Sequence, residues 1–248
     1  SDSVWRFTPR DTGSGTITIR YNSSLTATIP VRVQPGPPGR IELYSLPGLP
    51  TGSGNSPYYG PNALVYVWEA GKPIPMVGKI FDAFGIWLPQ YESDPGLSGQ
   101  ITWEVRRSST GIIADPSIAT ISPAAGSAAQ FTGFRANDTV DVVVTFQNGS
   151  LIFRDTVRTR IVHGFPDHLV IEASPGSQSP NRDNPLASVT LSASDTLRKV
   201  YAVLRDAYGN YVGPADSAQW SSRNNAVASA TAGSRPDSGA GLIRRQTT

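Results

Sequence analysis

"IFDAFGIWL" (80–88) and "VLRDAYGNYV" (203–212) are one turn written twice, with Asp82 and Asp206 standing 124 residues apart. Each stretch is an apolar run, then Asp-Ala-aromatic-Gly, then a second apolar run. In such a turn the Asp carboxylate bonds the backbone two residues on, and the Gly supplies a positive φ. Asn210, directly after Gly209, tolerates the left-handed region too. The aromatic residues Phe84 and Tyr208 are expected to cover the end of the core. Asp82, Gly85, Asp206, Gly209 and Asn210 are thus read as structural turn residues. A calcium site is the functional alternative, because Asp and Asn oxygens are hard ligands. One carboxylate per turn, however, falls short of the roughly six to eight oxygens that calcium takes.

Sliding the chain by 124 residues extends the match. "ALVYVW" (63–68) falls on "ASVTLS" (187–192), and "MVGKIFDAFG" (76–85) on "VYAVLRDAYG" (200–209). With gaps, "ITWEV" (101–105) meets "AQWSS" (218–222), and "SIATI" (117–121) meets "AVASA" (226–230). The start of the chain also has an echo. "FTPRDTGSGTITI" (7–19) matches "FTGFRANDTVDVVV" (131–144), and "VRVQPGPPGRIEL" (31–43) matches "TRIVHGFPDHLVI" (159–171). Internal self-similarity of this kind marks a repeated structural unit.

The unit reads as short strands at 40–44, 64–68, 77–81, 101–105, 119–121, 129–134, 140–146 and 152–162. Gly, Pro, Asn, Asp and Ser clusters separate them, as turn chemistry requires. In "TVDVVVTF" Val140, Val142, Val144 and Phe146 share one face; in "GTITIRY" Ile17, Ile19 and Tyr21 do the same. Half-buried antiparallel strands with this alternation build sandwiches. Composition agrees. The 248 residues include 24 Gly and 21 Pro, both poor in helix interiors, while Val, Ile, Thr, Tyr and Phe recur in short runs.

The residues 203–210, then Trp220-Ser221-Ser222, then Ala226-Val227-Ala228 resemble bacterial immunoglobulin-like domains, the tandem modules of intimin- and invasin-like surface proteins. The other copy carries the resemblance in 80–85, Trp103 and 117–120. It departs from the pattern at Ile86, which stands where Asn210 does, and at Glu104-Val105 after Trp103. The resemblance implies a β-sandwich, a spacer, adhesive or display role at the bacterial surface, and no shared active site.

The fold expected is all-β: tandem immunoglobulin-like sandwiches, one complete and two partial. Residues 1–35 hold the closing strands of a unit, 36–164 a complete sandwich, and 165–248 only opening strands. Half a sandwich exposes an apolar face and unpaired backbone. Either neighbouring repeats complete the halves, or residues 1–35 of one chain complete 165–248 of the next, head to tail. Pairing of the two ends within one chain is the third arrangement. A 37–165 fragment is expected to fold alone and a 167–248 fragment is not. Short Pro-bearing linkers, "VQPGPPGR" (33–40) and "VHGFPDH" (162–168), favour a semi-rigid rod. The chain opens at Ser1 with neither initiator Met nor signal peptide, which reads as a processed or excised segment.

Chemistry is sparse. Without Cys, disulfides and thiolate chemistry are excluded. The formal charge of +2 makes no electrostatic case for nucleic acid, and no apolar run is long enough to span a membrane. His163 and His168, the only histidines, lie five apart near Asp167 and lack a clear third metal ligand. No nucleophile elbow, phosphate loop or HExxH motif is present. Glu69, Glu92, Glu104, Asp94 and Asp115 are scattered over loops and strand ends. Sequons at Asn22, Asn137 and Asn148 fall in turns that produce the pattern by chance. No enzyme activity, cofactor or metal is expected.

Aromatics are the better lead. Trp103 and Trp220 share a repeat position and are expected to be core anchors. Tyr58 and Tyr59 in "TGSGNSPYYGPN", with Trp87 and Tyr91 in "IWLPQY", are candidates for stacking on a glycan, meeting a host receptor, or contacting a neighbouring unit. The sequence therefore points to a non-enzymatic structural or adhesive module, extracellular or on the cell surface. Its expected partners are further copies of itself or adjacent repeats; the alternative is a carbohydrate- or receptor-binding sandwich.

Overall fold

The computed structural model describes residues 7–8, 12–21, 24–45, 66–98, 100–178, 181–192, 194–233 and 239–246. Nearly all regular structure is β. The first element is a hairpin, β1 (Gly13–Tyr21) and β2 (Leu25–Val33), forming a sheet of its own. Directly opposed residues share a face of the ribbon, so its register sorts the side chains. Ile17 faces Ile29, Ile19 faces Ala27 and Tyr21 faces Leu25 on one side. Thr16 faces Pro30, Thr18 faces Thr28 and Arg20 faces Thr26 on the other.

The central unit is built from β3 (Pro38–Ser45), β4 (Tyr66–Glu69), β5 (Ile74–Asp82), the single-turn helices α1 (Gln90–Ser93) and α2 (Pro95–Ser98), β6 (Ile101–Arg107), β7 (Ala119–Ser122), β8 (Ala128–Gly133), β9 (Thr139–Asn148) and β10 (Leu151–Val162). These overlap all eight strands expected from the sequence; the two helices were not foreseen. One sheet runs β3-β5-β8-β7 and the other β4-β10-β9-β6. Every pairing is antiparallel except that of β4 with β10. Alternation decides which residues turn inward: along β5 Ile74, Met76, Gly78, Ile80 and Asp82 are buried. They meet Trp103, Val142, Val144, Phe146, Val157 and Ile161 of the second sheet in one core. Gly78 lets the sheets close, because a Cβ there would lie 3.0 Å from Val144 Cγ2. Asp155 Oδ2 accepts a hydrogen bond from Leu43 N at 2.7 Å, joining the sheets where β3 passes β10.

The last unit comprises β11 (His168–Glu172), a 3₁₀ turn (Gly176–Gln178), β12 (Leu197–Arg205), β13 (Tyr211–Pro214), β14 (Ala228–Ala232) and β15 (Ala240–Arg245). Its sheet runs β11-β12-β15-β14, with β13 also on β12. This is the order β3-β5-β8-β7 over again. Among the described residues the second sheet is not repeated. Residues 187–192 and 218–222 carry the sequence of β4 and β6 but form no strand. In the central unit those two strands take their ladder bonds from β10 and β9. Without such partners a short run has no backbone bonds to hold it extended. Among the described residues the hairpin and the last sheet share no strand. No helix among the described residues is long and apolar enough to cross a membrane.

Candidate functional site at the junction between units

The repeated Asp is the hinge pin of each unit. Asp82 Oδ1 accepts from Phe84 N at 2.9 Å and Ile86 N at 2.8 Å. Asp206 Oδ1 accepts from Tyr208 N and Asn210 N, each at 2.9 Å. Gly85 and Gly209 close the turns with φ of 87° and 80°, where a side chain would be strained. The second carboxylate oxygen does a different job: it holds the linker. Gly36 N donates to Asp82 Oδ2 at 2.9 Å, and Gly164 N to Asp206 Oδ2 at 2.8 Å. Both Asp residues are buried. Burial alone would push the Asp82 carboxyl up, but N–H donors at Gly36, Ile86, Phe84 and Gly85 outweigh it and hold the group below the usual carboxylate range.

The second copy adds a contact that the first lacks. Asn210 is fully buried, and its amide reaches into the preceding unit. Its Oδ1 accepts from Ala136 N at 2.8 Å, while its Nδ2 donates to Phe134 O at 2.7 Å and to Asp206 Oδ2 at 2.9 Å. One side chain thus satisfies two backbone groups of the neighbour and the carboxylate of its own turn. Tyr208 packs beside it, with its ring 5.3 Å from that of Phe134. It also lies against Gly71, where a Cβ would come within 2.2 Å of the ring. In the first copy Ile86 has no side-chain amide to offer, and Phe84 is 85 % exposed.

A buried ion pair braces the same turn from below. Arg205 Nη2 donates to both oxygens of Glu172, at 2.7 and 2.9 Å, and Nη1 donates to Gly209 O at 3.0 Å. Both side chains are completely buried. The segment after β11 makes this burial possible by folding over the outer side of the sheet. Leu186 N donates to Ile171 O at 2.8 Å, and Gly176 sits so close to Val203 and Tyr211 that a Cβ would clash. His168 lies at the rim between Asp183, 2.8 Å away, and Asp167, 3.1 Å away; these hydrogen bonds push its imidazole above the ordinary value. A cleft of about 670 Å³ opens beside the junction, lined by Ser117, Phe134, Arg135, Asn181, Arg182 and Tyr208. Arg135 is paired there with Asp138 at 3.2 Å.

Two expectations need correction, and one further residue acts in a way not read from the sequence. Phe84 and Tyr208 do not cap the cores of their own units; Phe84 projects into solvent and Tyr208 packs on the unit before it. Asn210, which tolerates the left-handed region, does not use it; among the described residues only Asn137 does so outside glycine. Its value lies in an amide that donates and accepts at once. Trp103 and Trp220 are not equivalent. Trp103 is 4 % exposed and donates Nε1 to Gly126 O at 2.7 Å. Trp220 is half-buried and lies across Gly241, with no second sheet behind it.

The candidate binding aromatics separate. Tyr58 and Tyr59 lie outside the described residues. Trp87 is exposed, donates Nε1 to Glu92 at 2.6 Å and has the Lys79 ammonium 4.9 Å from its ring. Tyr91 instead sets its ring edge-on to Phe146 at 5.2 Å, against the core. His163 bonds the carbonyl of Gly164 and His168 the two carboxylates, so they do not share a partner. The interunit role of Asn210 and the Arg205–Glu172 pair were missed. The available signals were the Asn-for-Ile difference between copies and a Gly at the same place in both linkers.

No family model and no curated protein matches the chain. Among solved structures, the apo structure of Bacteroides uniformis beta-glucuronidase 3 aligns with 14 % identity and a TM-score of 0.26. The alignment covers 85 % of this chain and spans 22 % of the length of that one. At that level it carries no argument about fold or activity.

Proposed function

We propose that the chain is a non-enzymatic structural module of an extracellular or surface protein, built of tandem immunoglobulin-like units whose joints are stiffened so that the array acts as a spacer. The strand orders support the immunoglobulin-like reading: β3-β5-β8-β7 faces β4-β10-β9-β6, and the first order recurs in the last unit. The observation that carries the spacer reading is Asn210, a turn residue whose buried amide bonds the backbone of the unit before it. Asp206 adds the linker through Gly164. Such bonds resist bending because rotation at the joint would strand the buried donor of Ala136 and the acceptor of Phe134, at about 1–3 kcal/mol each.

Asn210→Ala tests the reading. Residual dipolar couplings should report one common alignment for 37–163 and 167–246 in the parent protein and two separate alignments in the variant. Hydrogen exchange within the central core should stay unchanged. Two separate alignments in the parent protein would defeat the proposal. A second reading, adhesion to a glycan or host receptor, draws on the exposed ring of Trp87. It requires binding on a glycan array that disappears in Trp87→Ala.

A further inference from the structure

We propose that the bare apolar face of hairpin β1–β2 docks in a second copy of this chain on the inner face of the sheet β11-β12-β15-β14, which Trp220 covers over Gly241 but which stays open along β11. There it would occupy the position that β9–β10 holds over β3-β5-β8-β7. This rests on reading the last unit as a repeat of the central one, and it adds the partner and the register.

The acceptor face is identified by matched positions. Ile41 pairs with Ile80 and Leu43 with Gly78; in the last unit Leu169 pairs with Leu204 and Ile171 with Ala202. Ile41 and Leu43 are 4 % and 0 % exposed, whereas Leu169 and Ile171 are 56 % and 45 % exposed. The residues have the same chemistry, so the difference lies in what covers them. In the central unit β9 and β10 do so; among the described residues no second sheet packs on the last unit.

The donor face is equally specific. Ile19, Tyr21, Leu25 and Ile29 are all exposed, and they lie on one side of the hairpin by register. Aligning Gly36 with Gly164, which make the same linker bond, places Ile17, Ile19 and Tyr21 on Val142, Val144 and Phe146. Those three side chains are the fully buried inner row of β9. The polar row of Ser14, Thr16, Thr18 and Arg20 would then face solvent, as an outward strand face should.

The register follows from the central unit. Val105 pairs with Val142 and Trp103 with Val144. By the repeat, Ser222 comes opposite Ile17 and Trp220 opposite Ile19, so the half-buried indole gains its missing neighbour. Tyr66 pairs with Thr159, which places Thr190 beside Val31. The segments 187–192 and 218–222 would then acquire the strand partners they lack. Donor and acceptor are different surfaces at opposite ends of the chain, so the contact is heterologous and propagates head to tail.

Two variants separate this from non-specific stickiness. Ile19→Asp disables the donor and Ile171→Asp the acceptor; both positions are exposed, so each protein should keep the parent circular dichroism. The parent chain should gain mass with concentration in sedimentation equilibrium, and each variant should lose association about a hundredfold or more, because an aspartate would be buried in an apolar interface. Mixed together, the two variants should form a single heterodimer and nothing larger, since only one donor and one acceptor remain functional. The chain has no Cys, so an Ile17→Cys/Ser222→Cys protein should form a covalent ladder on oxidation; Thr18→Cys/Ser222→Cys, on the opposite face, should not. A parent chain that stays monomeric at about 100 µM, roughly the weakest affinity worth counting as specific here, overturns the proposal. So does a mixture of variants that grows beyond a dimer. The dipolar-coupling experiment can be run on monomeric Ile19→Asp, so failure of association leaves the stiff joint separately testable.

Discussion

The central unit and the last unit carry the same four-strand order and the same Asp-Gly turn, yet one is a closed core and the other an open sheet. The comparison isolates what a second sheet contributes. Where β9 and β10 are present, Ile41, Leu43 and Trp103 are buried, and the runs at 66–69 and 101–107 are strands. In the last unit, where no such strands pack among the described residues, Leu169 and Ile171 are exposed, Trp220 is half-buried, and 187–192 and 218–222 are irregular. Strand propensity is therefore not sufficient here; a run becomes a strand when a neighbour accepts and donates its ladder bonds. The open unit is reinforced differently, by the Arg205–Glu172 pair, by the segment folded over its outer side, and by the hold of Asn210 on its neighbour.

The largest effects should come from the interior groups that differ most between the two. Glu172→Leu removes the buried carboxylate that takes Arg205 bidentately, leaving Gly209 O and the more distant Asp183, and should cost the last unit about 3–5 kcal/mol. Pairing it with Arg205→Phe, which copies Phe81 of the central unit, should restore most of that loss. Hydrogen exchange along β12 reads both; an unprotected β12 in the double variant would mean the pair is needed in itself. Trp103→Ala should cost the central unit about 3–5 kcal/mol, and Trp220→Ala less than half as much because no second sheet encloses it. Equal losses in denaturant unfolding would erase the distinction between closed and open units.

A middle-sized effect is expected at the turns. Asp82→Ala removes charge-assisted bonds to the turn and to Gly36 and should cost about 2–3 kcal/mol. The pH dependence has a definite sign. The Asp82 carboxyl is lowered in the folded state, so its contribution is fully present above the unfolded value of about 3.9 and is lost as pH falls through the lower folded value. Unfolding midpoints of parent and Asp82→Asn proteins should accordingly converge in acid; a gap that widens below pH 4, roughly the unfolded value, would contradict the assignment.

The smallest effect belongs to the rim. His168 is raised by Asp183 and Asp167, so its contribution is complete below about pH 6.5 and fades as pH rises through the folded value. The side chain is 37 % exposed, and solvent screening keeps the gain small. Parent and His168→Gln proteins should differ slightly at pH 5 and coincide at pH 9, values chosen on either side of the ordinary histidine range.

Much of this was legible in the chain. The alternation of Val140, Val142, Val144 and Phe146 marked an inward row, and that of Ile17, Ile19 and Tyr21 a shared face that stays largely exposed in the hairpin, since a period of two sorts faces but does not supply what covers them. The doubled turn placed Asp82 and Asp206 correctly in position, though not in full role: the bond to the turn is local, whereas the bond to Gly36 or Gly164 spans more than forty residues. Tyr91 and Trp87, four residues apart in one aromatic stretch, ended against the core and in solvent respectively. Nothing in their identity separates them: Trp87 makes a β-bridge to Phe81 near the end of β5, whereas Tyr91 lies in α1, against Phe146.

By itself the sequence determined the β character, the strand positions of the central unit, the repeat and its phase, since these follow from side-chain periodicity and local turn chemistry. Only the tertiary structure decided which of the repeated runs become strands, that Asn210 serves the neighbouring unit rather than its own turn, and that an arginine and a glutamate occupy an interior. Those outcomes depend on what lies across a gap from each residue, and the energy of a buried polar group is set by that partner rather than by its neighbours along the chain.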